Sequence, residues 1–159
     1  MNPIIFHSLR ILLIVTLALT VFLQVFLLPL GISEEAAMYP QLADNAGVYV
    51  AIEVLVVACI QVILIAILAL LKRAFLNTVF DRRALPWVDA IALVVGLGPA
   101  ILAFGLWYLG AIDEVANPGT ALLFLGTVLG GAILVLLVLV LRGLLRNAIG
   151  LTRELAEVI

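Results

Sequence analysis

The chain has 159 residues, 67% of them hydrophobic and 11% charged, with a net charge of −2 and a mean hydropathy of +1.39. A water-soluble core of this size cannot hide so much apolar surface, which excludes an ordinary soluble domain. The single cysteine, Cys59, excludes an intramolecular disulfide and a zinc-type cysteine cluster.

Residues 11–30 carry no charge, are longer than the apolar region of a signal peptide, and are followed by no small-residue cleavage site, so they read as a retained first membrane span. His7 and Arg10 give this span a modest positive flank. His7, the only histidine, reads as an interfacial polar residue. Residues 31–47 hold the acids Glu34, Glu35 and Asp44 but no Lys or Arg. They form the first outer loop, in which Ser33 can cap a short interfacial helix.

From Val48 to Leu85 there is no Gly or Pro, so the second span, 48–71, is expected to continue as a helix past the bilayer. Val48 to Phe80 would be roughly 50 Å of helix against ~30 Å of hydrocarbon. The excess, together with the turn up to Pro86, holds Lys72, Arg73, Arg82 and Arg83, half of the eight basic residues. Phe75, Leu76, Val79 and Phe80 make an apolar stripe beside them, so these four cations are candidate contacts for anionic lipid headgroups.

The third span, 88–109, is bracketed by Trp87 at one end and Trp107 and Tyr108 at the other, as expected of interfacial aromatics. Gly96-Leu97-Gly98-Pro99 near its middle predicts a kink and close approach of a neighbouring helix. Asp89 opens this span, where the helix dipole favours it and Arg82 or Arg83 is the nearest cation in sequence. The second outer loop again carries only acids, Asp113 and Glu114. A fourth span, 120–141, contains Gly126-Thr127-Val128-Leu129-Gly130, a GxxxG read as an intramolecular contact, with a homo-oligomer seam as the alternative. In the tail, 142–159, Leu144, Ala148, Leu151, Leu155 and Val158 recur at heptad-like spacing among Arg and Glu, predicting a cytosolic amphipathic helix.

All eight Lys and Arg fall on one side of a four-span threading, and the outer loops have none. By the positive-inside rule both termini lie in the cytosol. The expected fold is therefore all-α: one integral membrane domain, 1–159, with four transmembrane helices and a cytosolic amphipathic C-terminal helix.

Chemistry inside the spans is sparse. Glu53 is the one carboxylate well within a span; counting from the span ends puts Gln24 at a similar depth, with Gln61 two turns deeper. An intramembrane carboxylate is costly unless it is protonated or hydrogen-bonded. Gln24, Glu53 and Gln61 are thus candidates either for a proton or cation site or for a structural clamp between the first two helices. No G-x-S-x-G, H-E-x-x-H, P-loop or dinucleotide fingerprint occurs, so no enzyme activity, cofactor or metal is expected. The basic loop is short and juxtamembrane, which favours anionic lipid over nucleic acid as its ligand.

Leu71-Lys72-Arg73, then Val79-Phe80-Asp81-Arg82-Arg83-Ala84 running into an apolar span, with the Leu155-Ala156-Glu157-Val158-Ile159 terminus, resembles a bacterial family known as domain of unknown function 2975. The resemblance covers most of the chain and is specific in the basic loop and tail. The loop is longer before Phe80 than in that family and lacks its glycine. The resemblance implies a four-helix inner-membrane protein without assigned activity, whose relatives are often encoded beside small helix-turn-helix regulators. Two functions follow as expectations: a sensor or membrane partner of a cytosolic regulator, or an oligomeric transporter or channel subunit using Glu53.

Overall fold

The computed structural model describes residues 3–38, 40–76, 84–112 and 117–157, and all regular structure among them is helical. Helix α1 (Pro3–Phe22) leads through a π-helical turn (Leu23–Leu27) into α2 (Leu28–Met38). A short α3 (Pro40–Ala43) follows, then the long helices α4 (Ala46–Phe75), α5 (Leu85–Ala111) and α6 (Pro118–Glu157). Among the described residues four stretches are long and apolar enough to cross a bilayer: Ile4–Gly31, Ala46–Phe75, Leu85–Ala111 and Pro118–Gly150. The protein is a multi-pass, all-α membrane protein.

Several boundaries differ from the sequence expectation. The outer acidic stretch is not a new helix capped at Ser33, because α2 carries the first helix on to Met38 without a break. The cause is local: residues 31–38 contain no proline, and an exposed Glu34 is as compatible with a helical surface as with a loop. The tail is not a separate amphipathic helix either. Residues 142–157 continue α6, which taken as a whole is apolar. Gly143 and Gly150 weaken a helix without ending one. Residues 77–83 and 158–159, and with them Val79, Phe80, Arg82, Arg83 and Val158, lie outside the described residues.

Local chemistry explains the element ends. Asn117 and Thr120 cap α6 reciprocally: the Thr120 backbone N–H donates to Asn117 Oδ1 at 2.9 Å, and the Asn117 N–H donates to Thr120 Oγ1 at 2.9 Å. Pro118 then occupies the first helical position, where its missing N–H costs nothing. A side chain at Gly119 would press on Asn117 Oδ1, at 2.9 Å, and so would crowd the cap. At the same end of the molecule, Tyr108 Oη donates to Asn45 Oδ1 at 3.2 Å, tying the end of α5 to the start of α4. Inside α1, the hydroxyls of Thr16 and Thr20 donate to the carbonyls of Leu12 and Leu17, so neither is left unsatisfied among apolar neighbours.

Each long helix packs against the next in sequence: α1 on α4, α4 on α5, and α5 on α6. Between α1 and α4 the contact is Phe6, Leu13 and Leu71, flanked by Leu64, Ile67 and Leu68. Phe6 also stacks on Phe75 at 4.2 Å between ring centres. Small residues set the other two seams, as expected where close backbone approach replaces the hydrophobic effect. Cβ atoms added at Gly98 and Gly105 would lie 3.6 Å from Cys59 Cβ and 3.0 Å from Ile52 Cγ2, both on α4. On the α6 side, Gly96 faces Val135 and Gly131 faces Pro99, where an added Cβ would come within 2.6 Å of the ring. Gly126 and Gly130, the predicted GxxxG, have nothing within 4 Å. The register of α5 against α6 puts Pro99 opposite Gly131, one residue past the motif. Helix α5 passes through Pro99 without interruption.

Candidate functional site

Gln24, in the π-helical turn after α1, and Gln61 of α4 meet across two helices. Pro29 cannot donate to the carbonyl of Val25, and its ring presses on that carbonyl in a regular α-helix. The chain answers with the π-helical turn just before it, in which the Leu28 N–H donates to Leu23 O, five residues back. Gln24 sits in this widened turn and is half-buried.

From there Gln24 reaches across to α4. Gln61 Nε2 donates to Gln24 Oε1 at 2.7 Å, and Gln24 Nε2 donates to the Val54 carbonyl at 3.3 Å. The pair lies near the middle of α4, where lipid offers no competing partner, so each amide is held by the other helix.

Glu53 precedes Val54, whose carbonyl Gln24 reaches. Glu53 lies two turns from Gln61 along α4 and lines a cavity of about 400 Å³ with Leu23, Leu27, Gly31, Val57 and Leu102. The depth count set Gln24 level with Glu53; Gln24 Nε2 bonds the carbonyl of Val54, the next residue along, while its Oε1 accepts from Gln61. The register is set by the α1–α4 apolar cluster and the Phe6–Phe75 stack, which no count from span ends could supply.

The opposite end of the molecule gathers the described cations. Lys72 and Arg73 form the last turn of α4, where cations complement the helix dipole. Arg82 and Arg83 lie outside the described residues. Asp89 does not depend on either: its Oδ1 meets Arg142 Nε of α6 at 2.5 Å, joining the first turns of α5 to the late part of α6. Sequence reasoning missed this partner because it is 53 positions away, although the antiparallel order of two neighbouring helices brings the ends together. It also missed Arg10, which shares with Lys72 a cavity of about 500 Å³ between α1 and α4. Among the described residues no group of His, Cys, Asp and Glu is arranged to hold a metal ion.

No curated protein and no solved structure matches the chain. The model of a family described as "Protein of unknown function (DUF2975)" matches residues 30–159, from the end of the first span through the basic loop to the last residue. With more than half of its length matched and four apolar helices in place, the chain belongs to this family of four-helix membrane proteins of unknown function.

Proposed function

We propose that the protein is a small non-enzymatic component of a bacterial inner membrane, with both termini cytosolic, that serves as a sensor or membrane partner for a cytosolic regulator. The observation that carries this reading is the length of α6. Its 40 residues form one helix, about 60 Å long at 1.5 Å per residue, against ~30 Å of hydrocarbon. The Arg142–Asp89 pair fastens α6 to α5, and the 15 residues beyond it extend about 22 Å further as continuous helix. An unbroken helix transmits a shift or rotation of its membrane part to its far end. In sequence that far end alternates Leu144, Ala148, Leu151 and Leu155 with Arg146, Arg153, Glu154 and Glu157, the pattern of a face offered to another protein. That all eight basic residues fall on one side of a four-span threading supports the cytosolic assignment, and anionic lipid is the ligand expected of the remaining cations.

The test is co-purification from native lipid. A soluble partner should be recovered with the full chain and lost when residues 144–159 are deleted, with the membrane part still monodisperse. Recovery of the same partner by the deleted chain would overturn the reading.

A second reading is supported by the Glu53 cavity: an oligomeric transporter or channel subunit in which Glu53 couples a proton or cation. Proton- or cation-dependent flux in liposomes that disappears with Glu53→Ala would establish it, and flux unchanged by that substitution would exclude it.

A further inference from the structure

We propose that the cavity between α1 and α4 holds one anionic glycerophospholipid, with its phosphate between Arg10 and Lys72 and an acyl chain along Ile14, Leu68 and Ala69. This is a defined site rather than the general attraction of a basic surface for a membrane, and it does not depend on what α6 engages.

The placement of the two cations carries the argument. Arg10 follows Phe6 by one turn of α1, and Lys72 precedes Phe75 by about one turn of α4. Because the helices are antiparallel and Phe6 stacks on Phe75, Arg10 and Lys72 stand level with each other, one turn deeper than the ring pair. Both line the same cavity of about 500 Å³. Its deeper walls, Ile14, Leu68 and Ala69, are apolar. The cavity therefore runs from a cationic level into a greasy lane, the order of chemical groups in a phospholipid read from phosphate to chain.

Charge supports the same occupant. Arg142 has Asp89 as its counter-ion, but among the described residues no carboxylate pairs with Arg10 or Lys72. Two like charges lining one apolar-walled cavity repel, and an anion between them removes that cost. A lipid source is favoured over a soluble anion by the lining itself: Leu76 and Phe75 are 58% and 40% exposed, so this end of the cavity is bordered by apolar side chains. Long cationic side chains at such a level bury their stems and keep the head at the phosphates.

The experiment measures lipid retained by the full chain in mixed micelles, read by native mass spectrometry. The probes are phosphatidylglycerol, phosphatidylcholine with the same chains, and inorganic phosphate as competitor. The wild-type chain should keep about one phosphatidylglycerol in preference to phosphatidylcholine, and inorganic phosphate should not displace it. The pair Arg10→Gln with Lys72→Gln should weaken retention by roughly tenfold or more, at about 1 kcal/mol per basic residue. Arg146→Gln, exposed and off the cavity, should change it little. Ala69→Phe leaves both charges in place and fills the lane, so it too should lower retention; it carries the test alone if the double substitution does not fold. Equal retention of both lipids, displacement by inorganic phosphate, an Arg146→Gln loss as large as that of the double substitution, or an unaffected Ala69→Phe would each overturn the proposal.

Discussion

Gln24 and Gln61 can be weighed against each other because their partners differ in number. Gln24 accepts from Gln61 and donates to Val54 O, whereas the amide of Gln61 is given to Gln24. Gln24→Leu therefore strands the Gln61 amide in apolar surroundings, while Gln61→Leu leaves Gln24 its carbonyl partner. Hydrogen bonds between membrane helices contribute about 1–2 kcal/mol at most, and an unsatisfied group costs more than the loss of a matched pair. We expect Gln24→Leu to destabilise by roughly 1–2 kcal/mol, Gln61→Leu by less, and the double substitution to recover most of the loss, measured by reversible unfolding in detergent. A double substitution whose cost equals the sum of the singles would show that the two amides do not act together. At this scale the sequence disclosed which residues matter more readily than which ones meet. A glutamine or carboxylate in an apolar run stands out by type, but its partner depends on helix register, and the register here is fixed by Phe6, Leu13, Leu71 and Phe75, residues of ordinary membrane-helix character.

Between helices, the decisive contact is the fit of Pro99 against Gly131. A methyl group at Gly131 would have to occupy space 2.6 Å from one carbon of a rigid ring and 3.1 Å from the next, so α6 must shift away. Overpacking of this kind typically costs about 1–3 kcal/mol. Gly131→Ala should accordingly destabilise the fold by that amount. Gly126→Ala should be neutral or mildly stabilising, because open space surrounds it and alanine is the better helix former. Thermal unfolding of the two variants side by side checks the contrast. A Gly126→Ala loss as large as that of Gly131→Ala would place another helix, from a second copy of the chain, on the face that this chain leaves open. The GxxxG spacing was visible in sequence, but Gly126, Gly130 and Gly131 lie on adjacent faces of one helix, and only the position of Pro99 on α5 selects among them. The number of long helices was legible for a firmer reason: twenty or more apolar residues between polar turns admit few other structures in lipid.

For the molecule as a whole, the question is which end faces the cytosol, and segregation of charge along the helix axes bears on it directly. Arg10, Lys72, Arg73, Arg142 and Arg146 are at one end of the described structure, whereas Glu34 and Asp44 lie toward the other. Moving the cationic end across a membrane is opposed by the same cost that underlies the positive-inside rule. The chain supplies a convenient means of testing this, since its only cysteine, Cys59, is buried against Gly98 and should react slowly with aqueous thiol reagents. Asp44→Cys and Asn147→Cys then report the two ends separately; both positions are exposed. A membrane-impermeant maleimide applied to intact spheroplasts should label Asp44→Cys and leave Asn147→Cys unlabelled until the membrane is opened. Arg10→Cys, near the start of α1, should follow Asn147→Cys, because four crossings return the chain to the side on which it began. Labelling of Asn147→Cys in sealed spheroplasts would invert the orientation, and opposite behaviour of Arg10→Cys and Asn147→Cys would require an odd number of crossings. Labelling of Asn147→Cys before the membrane is opened would take the far end of α6 out of the cytosol and with it the physical basis for a cytosolic partner.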